Sequence, residues 1–364
     1  MTVSLSAVLR DPTAPYSIEA LELDAPGPGE ALVRVTATGM CHTDLMGRSG
    51  FLGDHFLPAV LGHEGAGVVV EVGTGVSAVS PGDHVVLSFD SCGQCAGCMN
   101  GMPTHCTAFD ARNLSGLTPE GGRTARDTDG VPVTNRWFGQ SSFAQYALAT
   151  ARSMVKVDPN LPLELLGPLG CGVQTGAGTV LNVMRVAPGQ TLAVFGAGAV
   201  GLSAVMAAKA AGASDIVAVD LNPARRELAL ELGATRVVDG AHSNVVQEIA
   251  CGPDGLDFAL DTTGVGAVMA NAVRVLKRPG LCVLVGSGVD PLALHPAELT
   301  GKTVTFCYEG GAVPQTFIPR LIDLWQRGDF PFDKMISKYP LADLSRAEAD
   351  AVAGTAVKPV IIMP

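Results

Sequence analysis

Two patterns of hydrophobic and polar positions divide the chain near residue 172. Before this point, apolar and polar residues alternate over residues 31–37, a valine-rich run bounded by glycines covers 67–72, and a Pro-Gly turn enters a further strand over 81–86. Such alternation and such turn residues are typical of half-buried β-strands. The first part of the chain is therefore predicted to be β-rich, with long loops.

After residue 172, short apolar runs alternate with helical stretches. The predicted strands are 192–195, 216–219, 237–238, 258–260, 281–285 and 304–308, and the predicted helices are 200–211, 223–232 and 266–277. Strand alternating with helix indicates a parallel, doubly wound sheet in an α/β fold. A helix at 317–327 and a short strand at 360–362 follow, and we expect them to pack back onto the first part. The predicted domains are residues 1–172 with 311–364, and residues 173–310.

Composition excludes several classes of partner. The chain has 364 residues, of which 47% are hydrophobic and 16% charged, so it can bury a sizeable core. Its net charge of −11 argues against nucleic acid and anionic membrane surfaces as partners. The uncharged stretch 191–208 resembles a membrane span, but glycines interrupt it and Lys209 follows, so a strand, a turn and a buried helix explain it better. Since no secretory signal is visible at the start, the cytoplasm is the expected location.

Nine cysteines are present, and six of them lie in motifs described below. Clustered cysteines in a chain without a secretory signal indicate metal ligands rather than disulfides. Cys251, Cys282 and Cys307 lie outside these motifs and are expected to be ordinary buried thiols.

A glycine motif predicts a dinucleotide cradle. Gly196, Gly198 and Gly201 follow an apolar strand and open an alanine-rich helix that also contains Val200. The first glycine permits a tight turn, the second lets backbone amides approach a pyrophosphate, and the third lets the helix pack closely on the strand. A glycine turn without a ligand is the alternative.

The end of the next strand indicates which dinucleotide is bound. Asp220 is placed to accept hydrogen bonds from the adenosine ribose and to repel a 2′-phosphate, which favours NAD over NADP. Arg225 follows shortly after, and an arginine there can also hold a phosphate.

Four closely spaced thiols predict a structural metal site. They are Cys92, Cys95, Cys98 and Cys106. Four thiolates close the tetrahedral coordination sphere of Zn²⁺ and leave no open position, which suits structure rather than catalysis. An iron–sulfur cluster is the alternative.

A second set of candidate ligands is scattered along the chain beside glycines. It comprises Cys41, the pair His63 and Glu64, and Cys171. Taken singly, each of these residues is more often structural than a metal ligand.

The ordered combination of motifs resembles the zinc-containing medium-chain alcohol dehydrogenases over essentially the full length. This resemblance rests on residues 39–44, 62–73, the four-cysteine motif, 167–172 and 196–201 with Asp220. Residues 138–144 and 165–176 are most similar to bacterial benzyl (aryl) alcohol dehydrogenases. The resemblance implies a discontinuous, GroES-like, zinc-binding catalytic domain and a Rossmann domain that binds NAD.

The resemblance also implies roles for single residues. Cys41, His63 and Cys171 would bind a catalytic zinc with an open fourth position, so that the chain would hold two Zn²⁺. Asp44 would orient His63 through a hydrogen bond, and Glu64 would lie behind the metal and bind it transiently.

The zinc would act as a Lewis acid on the alcohol, which passes hydride to NAD. In the family, the proton leaves through a hydroxyl at the position of Thr43 and ends on a histidine, where this chain has Met46. Water or His42 could complete the route, although the family places the residue at the position of His42 against the cofactor pyrophosphate. Lys358 matches a basic position that reaches the same pyrophosphate, with a solvated surface lysine as the alternative.

The expected substrate is an aromatic or other bulky primary alcohol. Several aromatic residues flank the zinc motifs and belong either to the pocket or to the core: Phe51, Phe56, Phe89, Trp137 and Phe138. A glutathione-dependent formaldehyde dehydrogenase is the alternative among enzymes, and a zinc-free quinone reductase or non-catalytic NAD(H)-binding homologue is the alternative of another class. Relatives assemble through the cofactor domain, so a homodimer or homotetramer is expected.

Overall fold

The computed structural model describes residues 2–50, 53, 56–250, 255–288 and 290–364, so Phe51 and Cys251 lie outside the described residues. The chain forms two compact units. The first comprises Met1–Cys171, Val313–Pro319 and Met335–Pro364, and the second comprises Gly172–Ala312 and Arg320–Lys334. The last of these segments was expected in the first domain. It groups with the second unit, where Lys334 forms an ion pair with Glu231.

The secondary structure is mixed. The strands are β1 Thr2–Leu9, β2 Ser17–Leu23, β3 Glu30–Gly39, β4 Ala59–Val60, β5 Glu64–Val72, β6 His84–Leu87, β7 Ala125–Arg126, β8 Pro132–Val133, β9 Tyr146–Thr150, β10 Met154–Val157, β11 Thr191–Phe195, β12 Asp215–Asp220, β13 Arg236–Asp239, β14 Leu256–Asp261, β15 Leu276–Leu284, β16 Lys302–Phe306, β17 Ile336–Pro340 and β18 Lys358–Ile362. The α-helices are α1 His42–Arg48, α2 Ala96–Met99, α3 Phe109–Asn113, α4 Leu163–Leu166, α5 Gly172–Gly178, α6 Ala199–Ala210, α7 Pro223–Leu232, α8 Val245–Ile249, α9 Gly266–Arg274, α10 Pro314–Gln326 and α11 Leu344–Ala353.

The first unit is β-rich, as predicted. One sheet has the order β4-β1-β2-β7-β8, and a larger one has the order β10-β6-β5-β3-β18-β17, with β9 also paired to β3. The alternating side chains of Ala31, Val33 and Val35 on β3 are buried in the core of this unit. Because β18 pairs with β3 in antiparallel fashion, the C-terminal strand lies beside the loop that carries Cys41.

The second unit is a six-stranded parallel sheet of order β13-β12-β11-β14-β15-β16. This order reverses direction at β11, which is typical of dinucleotide-binding sheets. The predicted α/β fold class is thus confirmed, with a β-rich first unit and a doubly wound parallel sheet in the second. The central strands of this sheet are apolar because helices cover them, and Leu192, Val194 and Phe195 of β11 are at most 1% exposed.

Several predicted boundaries in this unit were wrong. The helix predicted to reach residue 277 ends at Arg274, because Leu276 instead pairs with Leu256 of β14 and begins β15. The last predicted strand lies at Lys302–Phe306, two residues earlier than expected.

The uncharged stretch 191–208 forms β11, the glycine turn and most of α6, as predicted. Among the residues that the structure describes, no helix is both long and apolar enough to cross a membrane.

Candidate functional site

The four-cysteine motif brings its sulfur atoms together. The ligand atoms of Cys92, Cys95, Cys98 and Cys106 all lie within 4.8 Å of one another around the short helix α2. Backbone N–H groups donate to these sulfurs, including those of Cys92 to Cys106 Sγ and of Cys95 to Cys92 Sγ, both at 3.3 Å. The backbone N–H groups of Cys98 and Thr107 lower the pKa of Cys95 to about 5, which favours its thiolate.

The scattered set also meets in space. One ligand atom from each of Cys41, His63, Glu64 and Cys171 lies within 4.8 Å of the others. Cys41 precedes α1, His63 precedes β5, and Cys171 precedes α5. His63 and Glu64 are at most 1% exposed, and Cys171 is 6% exposed. Residues from three distant loops therefore form one buried cluster.

Asp44 connects two of these loops. Its Oδ1 accepts from His63 Nδ1 at 2.8 Å and from the backbone N–H of Gly62 at 3.1 Å, while its Oδ2 accepts from the N–H of Cys41 at 3.0 Å. Because the Asp44 carboxylate accepts a hydrogen bond from His63 Nδ1, this nitrogen carries the proton and Nε2 presents its lone pair. The resemblance implied this hydrogen bond between Asp44 and His63.

The cluster fits a metal ion. His63 Nε2 is buried and has no hydrogen-bond partner among the described residues. A buried polar atom without a partner is costly, and here it lies with two thiols, the donor set that zinc prefers. A hydrogen bond with Cys171 holds the pKa of Cys41 well below its usual value against the opposing effect of burial, and the charges of Lys358 and His63 add to this.

Lys358 is buried in the first unit. It is only 2% exposed, and its Nζ lies 2.9 Å from both carboxylate oxygens of Glu64 and 3.1 Å from the carbonyl oxygen of Met40. The surface alternative does not fit this position, because the ammonium is buried and paired with Glu64. Contact of Lys358 with the cofactor pyrophosphate stays a prediction. Burial acts to lower the pKa of Lys358, but the charges of Glu64 and Cys41 raise it above its usual value.

The residues of the expected proton route lie on α1. Thr43 Oγ1 is 3.7 Å from Cys41 Sγ, which places a hydroxyl beside the cluster. His42 is exposed, and the half-buried Met46 packs against the core of the first unit.

The glycine motif has the predicted shape. Gly196 has φ +94°, a conformation that favours glycine. A Cβ on Gly201 would lie 1.8 Å from the carbonyl oxygen of Gly196, so the helix can approach the strand only without a side chain. A Cβ on Gly198, in contrast, would meet nothing within 4 Å, and Val200 lies half-buried on the first turn of α6. This open backbone at a helix N-terminus fits a dinucleotide phosphate.

Asp220 ends β12 beside this motif. Its Oδ2 accepts from the N–H of Ala197 at 2.7 Å and its Oδ1 from the N–H of Asn222 at 2.8 Å. Arg225 Nε is buried without a partner among the described residues, whereas Arg226 donates to the carbonyl oxygen of Asp220.

Sequence reasoning missed two residues that hold the cluster. Gln140 Nε2 donates to the carbonyl oxygen of His63 at 2.9 Å, and its Oε1 accepts from the N–H of Gly65 at 3.0 Å. Trp137 Nε1 donates to Asp44 Oδ1 at 3.0 Å. The sequence indicates Trp137 only as an aromatic residue of the pocket or the core. Gln140 lies in the segment singled out for its likeness to benzyl alcohol dehydrogenases. No spacing rule connects either residue to partners so far away in the chain.

The aromatic residues near the motifs belong to the core. Phe56, Phe89, Trp137 and Phe138 are at most 6% exposed. Phe138 also stacks on the cluster, since its ring centroid lies 4.5 Å from that of His63. Cys282 and Cys307 are buried, as expected for ordinary thiols.

Comparison with known proteins agrees with this geometry. Residues 27–159 match the family model of the alcohol dehydrogenase GroES-like domain, and residues 199–326 match that of the zinc-binding dehydrogenases. The chain is 44% identical to a geraniol dehydrogenase of Castellaniella defragrans, over 98% of this chain and 97% of the relative. It is 34% identical to an S-(hydroxymethyl)glutathione dehydrogenase of Paracoccus denitrificans, over 98% and 99% of the two chains.

A solved structure matches equally broadly. The benzyl alcohol dehydrogenase of Acinetobacter calcoaceticus superposes with a TM-score of 0.94 at 41% identity, with 100% of each chain covered.

Proposed function

Since the chain belongs to the zinc-containing medium-chain alcohol dehydrogenases, we propose that it oxidises an aromatic or other bulky apolar primary alcohol reversibly to the aldehyde, with NAD as the hydride acceptor. The observation that carries the proposal is the buried cluster of Cys41, His63 and Cys171. Glu64, the fourth member, is held by Lys358, so three ligands remain to bind a metal and leave one position open to substrate.

Zinc at this cluster would supply Lewis acidity that lowers the pKa of an alcohol, and NAD in the cradle would supply the hydride acceptor. The residues around the cluster hold the donors and exclude water. Asp44 fixes the tautomer of His63, and Phe138 covers the imidazole ring. The hydroxyl of Thr43, which lies beside the cluster, would accept the proton of the alcohol at Oγ1 and donate its own hydrogen to the next acceptor. Because the thioether of Met46 cannot carry a proton, water completes the route.

Metal analysis and a substrate panel test the proposal. We expect two zinc ions per chain, one in the four-cysteine site and one in the cluster, and turnover of benzyl alcohol and geraniol-like alcohols above ethanol, with NAD above NADP. One zinc or none would contradict the two-site assignment, and a chain without zinc would favour a quinone reductase or a non-catalytic homologue.

Cys171→Ser tests the ligand role of Cys171. We expect a folded, NADH-binding protein that has lost turnover and one zinc. Cys307→Ser is the matched control, because Cys307 is a buried cysteine outside both clusters. We expect this variant to keep both zinc ions. Full activity of Cys171→Ser would refute the assignment.

Asp220→Ala tests cofactor choice. We expect discrimination between NAD and NADP to relax towards NADP, because the carboxylate that repels a 2′-phosphate is gone. Asp239→Ala at the end of the neighbouring strand is the control and leaves the preference unchanged. Equal discrimination in both variants would show that Asp220 does not read the ribose.

A second candidate function is glutathione-dependent formaldehyde oxidation, which the likeness to the Paracoccus denitrificans enzyme favours. Formaldehyde with glutathione is therefore one arm of the substrate panel. The net charge of −11 gives no support for the basic residues that glutathione carboxylates need. A cytoplasmic homodimer or homotetramer stays a prediction, which cell fractionation and light scattering would test.

A further inference from the structure

Trp137 is connected to the metal cluster through Asp44. The indole is 0% exposed, and its N–H donates to Asp44 Oδ1 at 3.0 Å, the same oxygen that accepts from His63 and Gly62. A buried indole N–H needs an acceptor, and an ionised carboxylate is a strong one. The bond ties the side chain that orients His63 to a segment far along the chain.

The backbone of this segment is held in an unusual conformation. Phe138 has φ +49° and Ser141 has φ +50°, in the left-handed region that residues with a side chain rarely adopt. Local hydrogen bonds hold the turn: Ser141 Oγ accepts from the N–H of Trp137 at 2.8 Å and donates to the carbonyl oxygen of Val60 at 2.6 Å. The turn places the indole against Asp44 and the ring of Phe138 against His63 in adjacent positions.

We propose that Trp137 is a positioning residue of the metal site, which acts through Asp44 to hold His63 Nε2 towards the metal. The inference rests on the proposed function, because it assumes that zinc binds the cluster. The indole N–H is one of four donors to the Asp44 carboxylate, with His63 and the backbone N–H groups of Gly62 and Cys41, so its loss weakens the hold on that carboxylate. The imidazole is then oriented less firmly, and the metal is held less tightly. Outer partners of metal ligands contribute about 10–100-fold to metal affinity.

The alternative role of Trp137 is to fill space in the core. Its indole packs on Gly47, and its ring centroid lies 5.6 Å from that of Phe56. Two control variants separate these roles. Trp325 makes an equivalent indole–carboxylate bond in the second unit, to Asp333 Oδ1 at 2.9 Å. Phe56→Leu disturbs the same packing as Trp137→Phe without removing a donor from Asp44.

The experiment measures zinc affinity by competition with a chromophoric chelator on the full-length, zinc-loaded chain. The competition curve is expected to show one phase for each zinc site, and the phase that Cys171→Ser lacks is assigned to the cluster site. We expect Trp137→Phe to lose about 10-fold or more in affinity at the cluster site and to keep the four-cysteine site unchanged. Trp325→Phe and Phe56→Leu should keep both affinities. A loss in Phe56→Leu equal to that in Trp137→Phe would assign the effect to packing and overturn the proposal.

Fluorescence gives a second readout that does not depend on turnover. In Trp325→Phe, Trp137 is the only tryptophan left, and its emission should shift when zinc leaves the cluster. In Trp137→Phe, the emission of Trp325 should not respond. If the emission of Trp137 did not change when zinc left the cluster, the proposal would also be overturned. If the unaltered chain held no zinc at the cluster, the proposed function itself would fail; if it held zinc and Trp137→Phe held it equally well, only the inference about Trp137 would fail.

Discussion

Lys358 and Glu64 form a buried ion pair in the first unit. Both side chains are at most 2% exposed, and the ammonium lies 2.9 Å from each carboxylate oxygen. Replacement of Lys358 by Met keeps most of the side-chain volume but leaves the buried Glu64 beside two thiols without its cation. Removal of one partner from such a pair costs about 3–5 kcal/mol, because the other charge stays without compensation. We therefore expect Lys358→Met to lower the free energy of unfolding of the first unit by that amount.

Urea unfolding of the zinc-loaded protein measures this effect. Trp325→Phe serves as the background, because Trp137 then reports on the first unit alone. The double variant Glu64→Gln with Lys358→Met removes both charges and should recover more than half of the loss. Lys338, which pairs with Glu164 on the surface, gives the matched control: Lys338→Met should cost less than about 1 kcal/mol.

A loss below about 1 kcal/mol in Lys358→Met would refute the reasoning, because the pair would then behave like an exposed one. A double variant as unstable as the sum of its two single variants would refute it as well. In that case the two side chains would contribute independently rather than as a charge pair.

The remaining predictions concern the second unit. Gly201→Ala should prevent the cradle from folding, since its Cβ would lie 1.8 Å from the carbonyl oxygen of Gly196. Gly198→Ala should fold but bind NADH more weakly, which calorimetry would measure. Equal behaviour of the two variants would contradict this account. Burial acts to raise the pKa of Asp257, but hydrogen bonds from Lys277 and from Thr191 hold it below its usual value. A carboxyl whose pKa is lower in the folded state stabilises above its unfolded pKa, and this stability is lost as the pH falls through the folded value. Asp257→Asn should therefore cost about 1 kcal/mol at neutral pH and make stability less dependent on pH below about 4, and an unchanged acid limb in urea unfolding would contradict it.

Features encoded locally could be predicted from the sequence. The cradle needs only a strand, three glycines and a helix that are adjacent in the chain, and the backbone then has the expected shape at Gly196 and Gly201. The four thiols likewise lie in one short segment, so their spacing brings them together.

Features made by distant segments could not be predicted in this way. Lys358 and Glu64 are 294 residues apart in the chain and meet because β18 pairs with β3. The sequence shows neither this pairing nor the bond from Trp137 to Asp44, which spans 93 residues. Resemblance to a family grouped Cys41, His63 and Cys171, but it did not indicate that Lys358 pairs with Glu64.

The position of β18 has a consequence for the order in which a ribosome delivers the parts of this protein. The second unit is complete once Lys334 has been synthesised, whereas the first unit, although it begins the chain, still lacks β17 and β18 at that moment. Domains fold as units during synthesis, so the unit that starts first is expected to finish last. Until Lys358 has been synthesised, the carboxylate of Glu64 has no ammonium group to pair with. The thiols of Cys41 and Cys171 are then neighbours of an uncompensated carboxylate.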